Sequence, residues 1–243
     1  MPAQHILSRF PVLLLDMNRT FMLDADRFGP DEDYAATYRG RGGMLPDAQV
    51  HALITACYAY LDVRYRDPAY HDAFPTVPQV LRALPSAVGL SNGDVRLLAQ
   101  TFAAHEVGQV PEAYAAGLRR LATTHRLALI ADIWAEAEPW RCELRRAGVL
   151  DLFEATVFSS DLGSVKPSPR AFHRVMAQMD VPPDACVMIG DSARRDIGGA
   201  RAAGVAAIWI GDGEAPDGAE VAVRDLLDLV PQRQDHTNAR RQP

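Results

Sequence analysis

A parallel α/β sheet with a helical insert after its first strand is the fold this 243-residue chain predicts. Three observations carry the prediction. Short continuous apolar runs recur, most of them ending at an Asp or a Gly. Segments with helical spacing separate those runs. The stretch 22–85 has helical spacing and no comparable run.

The runs are 12–15 (VLLL) ending at Asp16, 127–131 (LALIA) ending at Asp132, and 155–158 (ATVF) preceding Ser-Ser-Asp. Two more are 186–190 (CVMIG) ending at Asp191 and 205–210 (VAAIWI) ending at Gly211. Each is continuous rather than alternating, as expected of strands covered on both faces. Leu118 and Leu121 mark a helix before the second run, and Trp140, Leu144 and Ala147 mark one after it, closed by Gly148. Phe172, Val175, Met176 and Met179 recur at i, i+3, i+4, i+7. Pro169 lies near the start of that helix, where its missing N–H is harmless. Ile197, Ala200 and Ala203 mark a further helix closed by Gly204. Strands alternating with helices imply a parallel sheet with right-handed crossovers. Ligands of such sheets bind at the carboxyl ends of the strands, where Asp16, Asp132 and Asp191 fall. Within 22–85, Val50, Leu53, Ile54, Cys57, Tyr58 and Leu61 form one apolar stripe, so 47–63 is expected to be an amphipathic helix. The expected division is a sheet domain of residues 1–21 and 86–231, a helical insert of 22–85, and a mobile polar tail of 232–243.

Composition narrows the function classes. With 48% apolar and 23% charged residues the chain can bury a core, which excludes a disordered protein. A net charge of −6, from 25 Lys+Arg against 31 Asp+Glu, argues against non-specific nucleic-acid binding. No run approaches the roughly 20 apolar residues of a membrane helix, and MPAQHILSRFP lacks the layout of a signal peptide. Cys57, Cys142 and Cys186 show neither zinc spacing nor a disulfide framework. A cytoplasmic protein acting on a small molecule is the expectation.

Four features carry the chemistry, in chain order. They are Asp16-Met17-Asn18-Arg19-Thr20 after the first run, Ala131-Asp132 ending the second, Lys166 in SVKPSPRAF, and Gly190-Asp191-Ser192 with Asp196 in GDSARRDIGGARAAG. Each alone has a bland reading as a cap, a turn or a solvated loop residue. Their order, spacing and place at strand ends make the combination specific. Together they resemble the haloacid dehalogenase-like (HAD) hydrolase superfamily over about residues 10–212. The resemblance implies a Rossmann-like core with a helical C1-type cap inserted after the first strand. It also implies an aspartate nucleophile, Asp16, that forms an aspartyl-phosphate. Two anions must then meet, so a cation is required, and Mg²⁺ suits carboxylates plus a substrate phosphate. By the resemblance Asp16, Asp191 and the backbone carbonyl of Asn18 hold Mg²⁺, Lys166 neutralises charge on the transferring group, and Thr20 orients the loop. Ser192 and Asp196 stand behind them, Asp196 holding Lys166 or a metal-bound water.

Two positions depart from the family pattern. Phosphatases of this family usually carry a second Asp at the place of Asn18, as general acid and base, and an amide cannot donate that proton at neutral pH. A Ser or Thr that binds phosphoryl oxygen is usual where Ala131 stands, next to Asp132. The first loss is worth about 10²–10⁴-fold and the second on the order of 10²–10³-fold. Leaving groups that need no proton (acyl phosphates, halide) remain open, as does proton supply by water or the substrate, and as does ligand binding without turnover. Haloacid dehalogenation fits Asn18, because halide needs no protonation. Asp191 and Asp196 keep the metal-site pattern and favour Mg²⁺-linked phosphoryl chemistry. Arg39 and Arg41 on the glycine loop Tyr38–Gly43, and Arg19 beside the nucleophile, are candidate anion clamps. A rival class is suggested by Gly89-Leu90-Ser91-Asn92-Gly93, a G-x-S-x-G match that needs a strand at 86–90 and a late His such as His236.

Overall fold

The computed structural model describes residues 4–231. The polar tail 232–243, including His236, lies outside the described residues. Six strands form one parallel sheet: β1 (Val12–Leu15), β2 (Arg126–Ala131), β3 (Phe153–Phe158), β4 (Cys186–Gly190), β5 (Ala206–Ile210) and β6 (Val221–Val223). Their order is β3-β2-β1-β4-β5-β6, all pairs parallel. The chain thus builds outward from β1 on one side through β3, then returns to β4 on the other side. This is the Rossmann-like arrangement, and its switch point lies between β1 and β4. Each predicted run is a strand, with ends shifted by one or two residues. The edge strand β6 was not predicted, because three residues are too short to show a period.

The helices are α1 (Gln4–Leu7), α2 (Tyr34–Arg39), α3 (Asp47–Arg66), α4 (Val77–Ala83), α5 (Asn92–Glu106), α6 (Glu112–Leu121), α7 (Glu138–Arg146), α8 (Ser159–Leu162), α9 (Arg170–Met179) and α10 (Gly198–Ala202). Alternate residues of each central strand feed opposite faces of the sheet. Leu13, Leu15, Leu127, Leu129, Val187 and Ile189 join one buried cluster with Leu118, Leu121, Trp140 and Leu144 of α6 and α7. Val12, Leu14, Ala128, Ile130 and Met188 join the other with Phe172, Val175 and Met176 of α9 and Ala200 of α10. Burial on both faces is why these strands read as continuous apolar runs. No helix among the described residues is long and apolar enough to cross a membrane.

The predicted stripe of 47–63 is the buried face of α3, which runs three residues further. Helices α2, α3, α4 and α5 pack together as one helical block. Helix α5 lies beyond the expected border at residue 85. Its Val95, Leu98 and Phe102 are buried, Asp94 accepts from the Tyr38 hydroxyl at 2.9 Å, and His105 meets Thr37 and Glu32. The two chain passages between block and sheet are zipped by a short antiparallel bridge, with Leu23 N–H to Gln109 O and Gln109 N–H to Leu23 O both 2.8 Å. Gly108 permits this approach: a Cβ there would lie 2.3 Å from Leu23 O.

The serine-hydrolase match is overturned locally. Residues Pro85–Ala87 form a 3₁₀ turn rather than a strand. Ser91 is the N-cap of α5, its hydroxyl bonded to Asp94 in a capping box.

Candidate active site

Strand β1 delivers Asp16 to the carboxyl edge of the sheet at the switch point, where its N–H donates to Ile189 O of β4 at 2.9 Å. The chain then turns tightly. The N–H groups of Thr20, Phe21 and Met22 all point to Met17 O, and Arg19 adopts a left-handed φ of 62°. This turn brings the Thr20 hydroxyl back to Asp16, donating to Oδ2 at 3.2 Å.

Lys166 approaches from the loop before α9 and is 1% exposed. Its ammonium meets three acceptors: Asp16 Oδ1 at 2.5 Å, Asp196 Oδ1 at 2.7 Å and Ile130 O at 3.1 Å. The contacts with Asp16 and Ile130 are hydrogen bonds and the one with Asp196 is an ion pair, so two carboxylates counter the buried charge. Burial alone would lower the Lys166 pKa, but Asp16, Asp196 and Asp132 outweigh it and hold the ammonium charged. Burial pushes the Asp16 carboxyl up to about 7, with Asp196 and Asp191 adding to the rise and Lys166 opposing it.

Strand β4 ends at Gly190, and a five-residue π turn, Ala193–Ile197, follows. Such turns concentrate at functional sites. Here the turn folds Asp196 back under the strand end, where its Oδ2 accepts from Ser192 N–H at 2.9 Å. Ser192 itself caps the turn through Arg195 N–H. Gly190 makes room: a Cβ there would lie 2.5 Å from the Asp196 carboxylate. Gly190→Ala is therefore expected to cost about 1–3 kcal/mol, the usual range for overpacking, and to displace Asp196 from Lys166. Urea unfolding and a turnover assay on the same preparation would check both effects.

Asp16, Asp191 and Asp196 offer ligand atoms that all lie within 4.8 Å of one another. Asp191 Oδ2 lies 3.3 Å from Arg19 Nε, while its Oδ1 is buried without a partner, as is Asn18 Oδ1. Burial, then Asp196, raises the Asp191 carboxyl. Orphaned buried oxygens beside clustered carboxylates are what a hard divalent cation requires. The residues present fit Mg²⁺.

A cavity of about 490 Å³ opens above Asp16. Asn18, Arg19 and Asp132 line it, as the sequence leads one to expect. Asp132 is already engaged within the protein. Its oxygens accept the Lys166 N–H at 3.2 Å and the Tyr65 hydroxyl at 2.7 Å, so it ties α3 to the sheet.

Three expected substrate contacts lie elsewhere. Ala131 is 1% exposed within β2 and belongs to the apolar core. Arg39 pairs with Asp47 at the surface. Arg41 bonds Thr37 O and lines a separate groove beside α5. Local partners capture both guanidinium groups, so neither reaches the cavity.

Apart from Tyr58, expected in the apolar stripe of α3, the walls come from residues not singled out beforehand. Helix α3 contributes Tyr58, Asp62, Tyr65 and Arg66, the π turn contributes Arg194 and Arg195, and Asp26, Glu106 and Trp134 complete the lining. Arg194 reaches Tyr65 O and His71, and Arg195 lies 5.2 Å from the Tyr65 ring centre. Glu106, 3% exposed, accepts the N–H groups of Trp134 and Ala135 at 2.5 and 2.9 Å. Burial pushes its carboxyl up to about 8. The spacing 58, 62, 65, 66 places these residues on one helix face.

The model of the haloacid dehalogenase-like hydrolases matches residues 4–204. Phosphoserine phosphatase of Thermus thermophilus is 28% identical over 226 residues, 86% of this chain and 87% of that protein. β-Phosphoglucomutase of Bacillus subtilis is 37% identical over 87 residues, 36% of this chain and 38% of that protein. Among solved structures, a 2-haloacid dehalogenase of Pseudomonas syringae superposes with a TM-score of 0.61 at 25% identity, covering 90% of this chain and 96% of that one. A HAD phosphatase of Thermococcus onnurineus gives 0.60 at 21% identity, with the same coverage of 90% and 96%, a likeness of fold.

Proposed function

The chain belongs to the haloacid dehalogenase-like hydrolase family, and on that premise we propose that it transfers phosphoryl groups from a small anionic substrate to water through Asp16. The observation that carries this reading is the convergence of Asp16, Asp191 and Asp196, with an unpartnered Asp191 oxygen, where Asp16 meets the polar cavity. Displacement of halide gives such an excess of carboxylate no task. Mg²⁺ held by Asp16, Asp191 and the Asn18 backbone carbonyl would neutralise charge between the phosphate and the carboxylates.

The chain's own residues have distinct parts. Thr20 fixes the rotamer of Asp16 through its hydrogen bond. Lys166 offsets the charge that builds up as the carboxylate meets the phosphoryl group. Asp196 holds Lys166 in place. Arg19 and Arg195 line the cavity and offer N–H donors to phosphoryl oxygens, a task for which Ala131 has no hydroxyl. The Asp16 carboxylate attacks phosphorus, the bond to the leaving oxygen breaks, and water later cleaves the aspartyl-phosphate to restore Asp16. The helical block of residues 23–109 acts as the cap, and the α3 face from Tyr58 to Arg66 selects the substrate.

Dehalogenation is the second reading, favoured by Asn18 and by the dehalogenase superposition. One panel separates the two. Phosphate and halide release are measured with acetyl phosphate, p-nitrophenyl phosphate, sugar phosphates, nucleotides and 2-haloacids, with Mg²⁺ and with EDTA. Mg²⁺-dependent phosphate release is the expected result. Metal-independent halide release would replace the phosphatase reading with the dehalogenase one. Silence from a folded protein would leave a ligand-binding role.

A further inference from the structure

Asn18 deprives the proposed hydrolysis of an acid on the nucleophile's own loop, because an amide has no proton to give at neutral pH. An alkoxide leaving phosphorus needs one. Five carboxyl groups line the catalytic cavity: Asp16, Asp26, Asp62, Glu106 and Asp132. Four are committed. Asp16 is held by Lys166 and Thr20. Asp62 is gripped through both oxygens by Arg66. Glu106 takes one backbone N–H on each oxygen, and Asp132 takes the Tyr65 hydroxyl and the Lys166 N–H. The fifth is different. Among the described residues nothing donates a hydrogen bond to the Asp26 carboxylate or pairs with it, and the side chain stays open to solvent at the cavity wall.

The backbone around Asp26 is built rather than loose. Asp26 has a left-handed φ of 58°, and Asp24 one of 55°. Few residue types accept that region, Asp and Asn among them, and such outliers gather at active sites. The conformation is held from the end of α5. Asp26 N–H donates to Glu106 O at 3.1 Å, Arg27 N–H to His105 O at 2.8 Å, and Phe28 N–H back to Asp26 O at 3.0 Å. The Arg27 guanidinium is occupied by the carbonyls of Asp24, Ala104 and Val107. The groups facing Asp26 are Arg195 of the π turn, Arg19 of the nucleophile loop, Arg27 beside it, Glu106 of α5 and Tyr58 of α3. The walls of the concavity partly strip water from this exposed side chain and raise its carboxyl above the ordinary range, against the pull of Arg195, Arg19 and Arg27.

We infer that Asp26 is the catalytic acid and base of this hydrolysis, supplying from the cap-side wall the proton that Asn18 cannot. The inference rests on the phosphoryl-transfer reading. In the first step the Asp16 carboxylate forms a bond to phosphorus, the bond to the ester oxygen breaks with its electron pair, and the Asp26 carboxylic acid passes its proton to that oxygen. In the second step the Asp26 carboxylate takes a proton from water. The water oxygen bonds to phosphorus, and the pair of the broken phosphorus–oxygen bond returns to Asp16.

The test compares wild type and Asp26→Asn on two leaving groups: acetate, which leaves without a proton, and the best alkyl phosphate of the panel above. Asn accepts the left-handed backbone, so the fold is retained, as near-UV circular dichroism would verify. Turnover of the alkyl ester is expected to fall by about 10²–10⁴-fold, the usual worth of general acid–base catalysis. With acetyl phosphate the variant should still phosphorylate Asp16 at the wild-type rate, and because the base is gone the phosphoenzyme should accumulate in intact-mass spectra. Asn18→Asp in the Asp26→Asn background should recover alkyl-ester turnover by at least about tenfold. Alkyl-ester turnover in Asp26→Asn within about threefold of wild type, or equal losses on both substrates without phosphoenzyme, overturns the inference alone. So does a wild type that cleaves acetyl phosphate but no alkyl phosphate. A wild type that releases no phosphate from any substrate overturns the phosphoryl-transfer reading, and the inference with it.

Discussion

Asp16→Asn is expected to lower turnover on the order of 10⁴–10⁶-fold on every substrate, the scale on which loss of a nucleophile is felt. The fold should survive. Asn keeps the shape of Asp and an oxygen for the Lys166 ammonium, while the Thr20 hydroxyl can turn to accept from the new amide. Stability should hold or rise, because burial and two neighbouring carboxylates already push the Asp16 carboxyl up to about 7. A group so shifted above its ordinary value of 3.8 keeps a proton that the unfolded chain releases, so its ionisation costs stability as pH rises through that window. A neutral amide removes the cost. Rapid quenching with acetyl phosphate should label wild type and leave Asp16→Asn unlabelled, with the variant melting at or above the wild-type temperature at pH 7. Full activity in Asp16→Asn would end the aspartyl-nucleophile reading.

The frame of this site was legible because it is written in short-range pattern. VLLL before Asp16 and CVMIG before Asp191 are strands buried on both faces, so each carboxylate had to emerge at the same sheet edge. Lys166 was legible only through motif order, since nothing local distinguishes it from a loop lysine. The cavity walls were not legible in this way. The apolar stripe of α3 identified the helix, but the adjoining Asp62, Tyr65 and Arg66 read as solvated until the helical block is set over the sheet. Arg39 and Arg41 misled for a related reason. Guanidinium groups on a glycine loop suit an anion, and only the folded chain shows Asp47 and Thr37 O taking them first. Asp26 carries no motif at all. Its significance comes from what surrounds it and from the partners its four neighbours have and it lacks.

Lys166→Met should be the most destabilising single change at the site. Among the described residues the ammonium is the only cation in direct contact with both Asp16 and Asp196, each nearly buried. Met fills much of the space but leaves two carboxylates facing each other without a counter-charge. Removing one partner of a buried pair typically costs 3–5 kcal/mol, and two orphaned groups place this site at about the upper end. For a chain of this length that corresponds to a melting point lower by roughly 10–20 °C. Two measurements separate this electrostatic account from simple loss of packing. The deficit should be largest above pH 7 and should shrink as pH falls below about 7, where Asp16 takes up a proton and no longer needs the lysine. Asp196→Asn added to Lys166→Met should recover part of the loss, giving a coupling energy of about 1–3 kcal/mol in a double-mutant cycle. A pH-independent deficit with additive single effects would show that Lys166 holds the site by its methylene stem rather than by its charge.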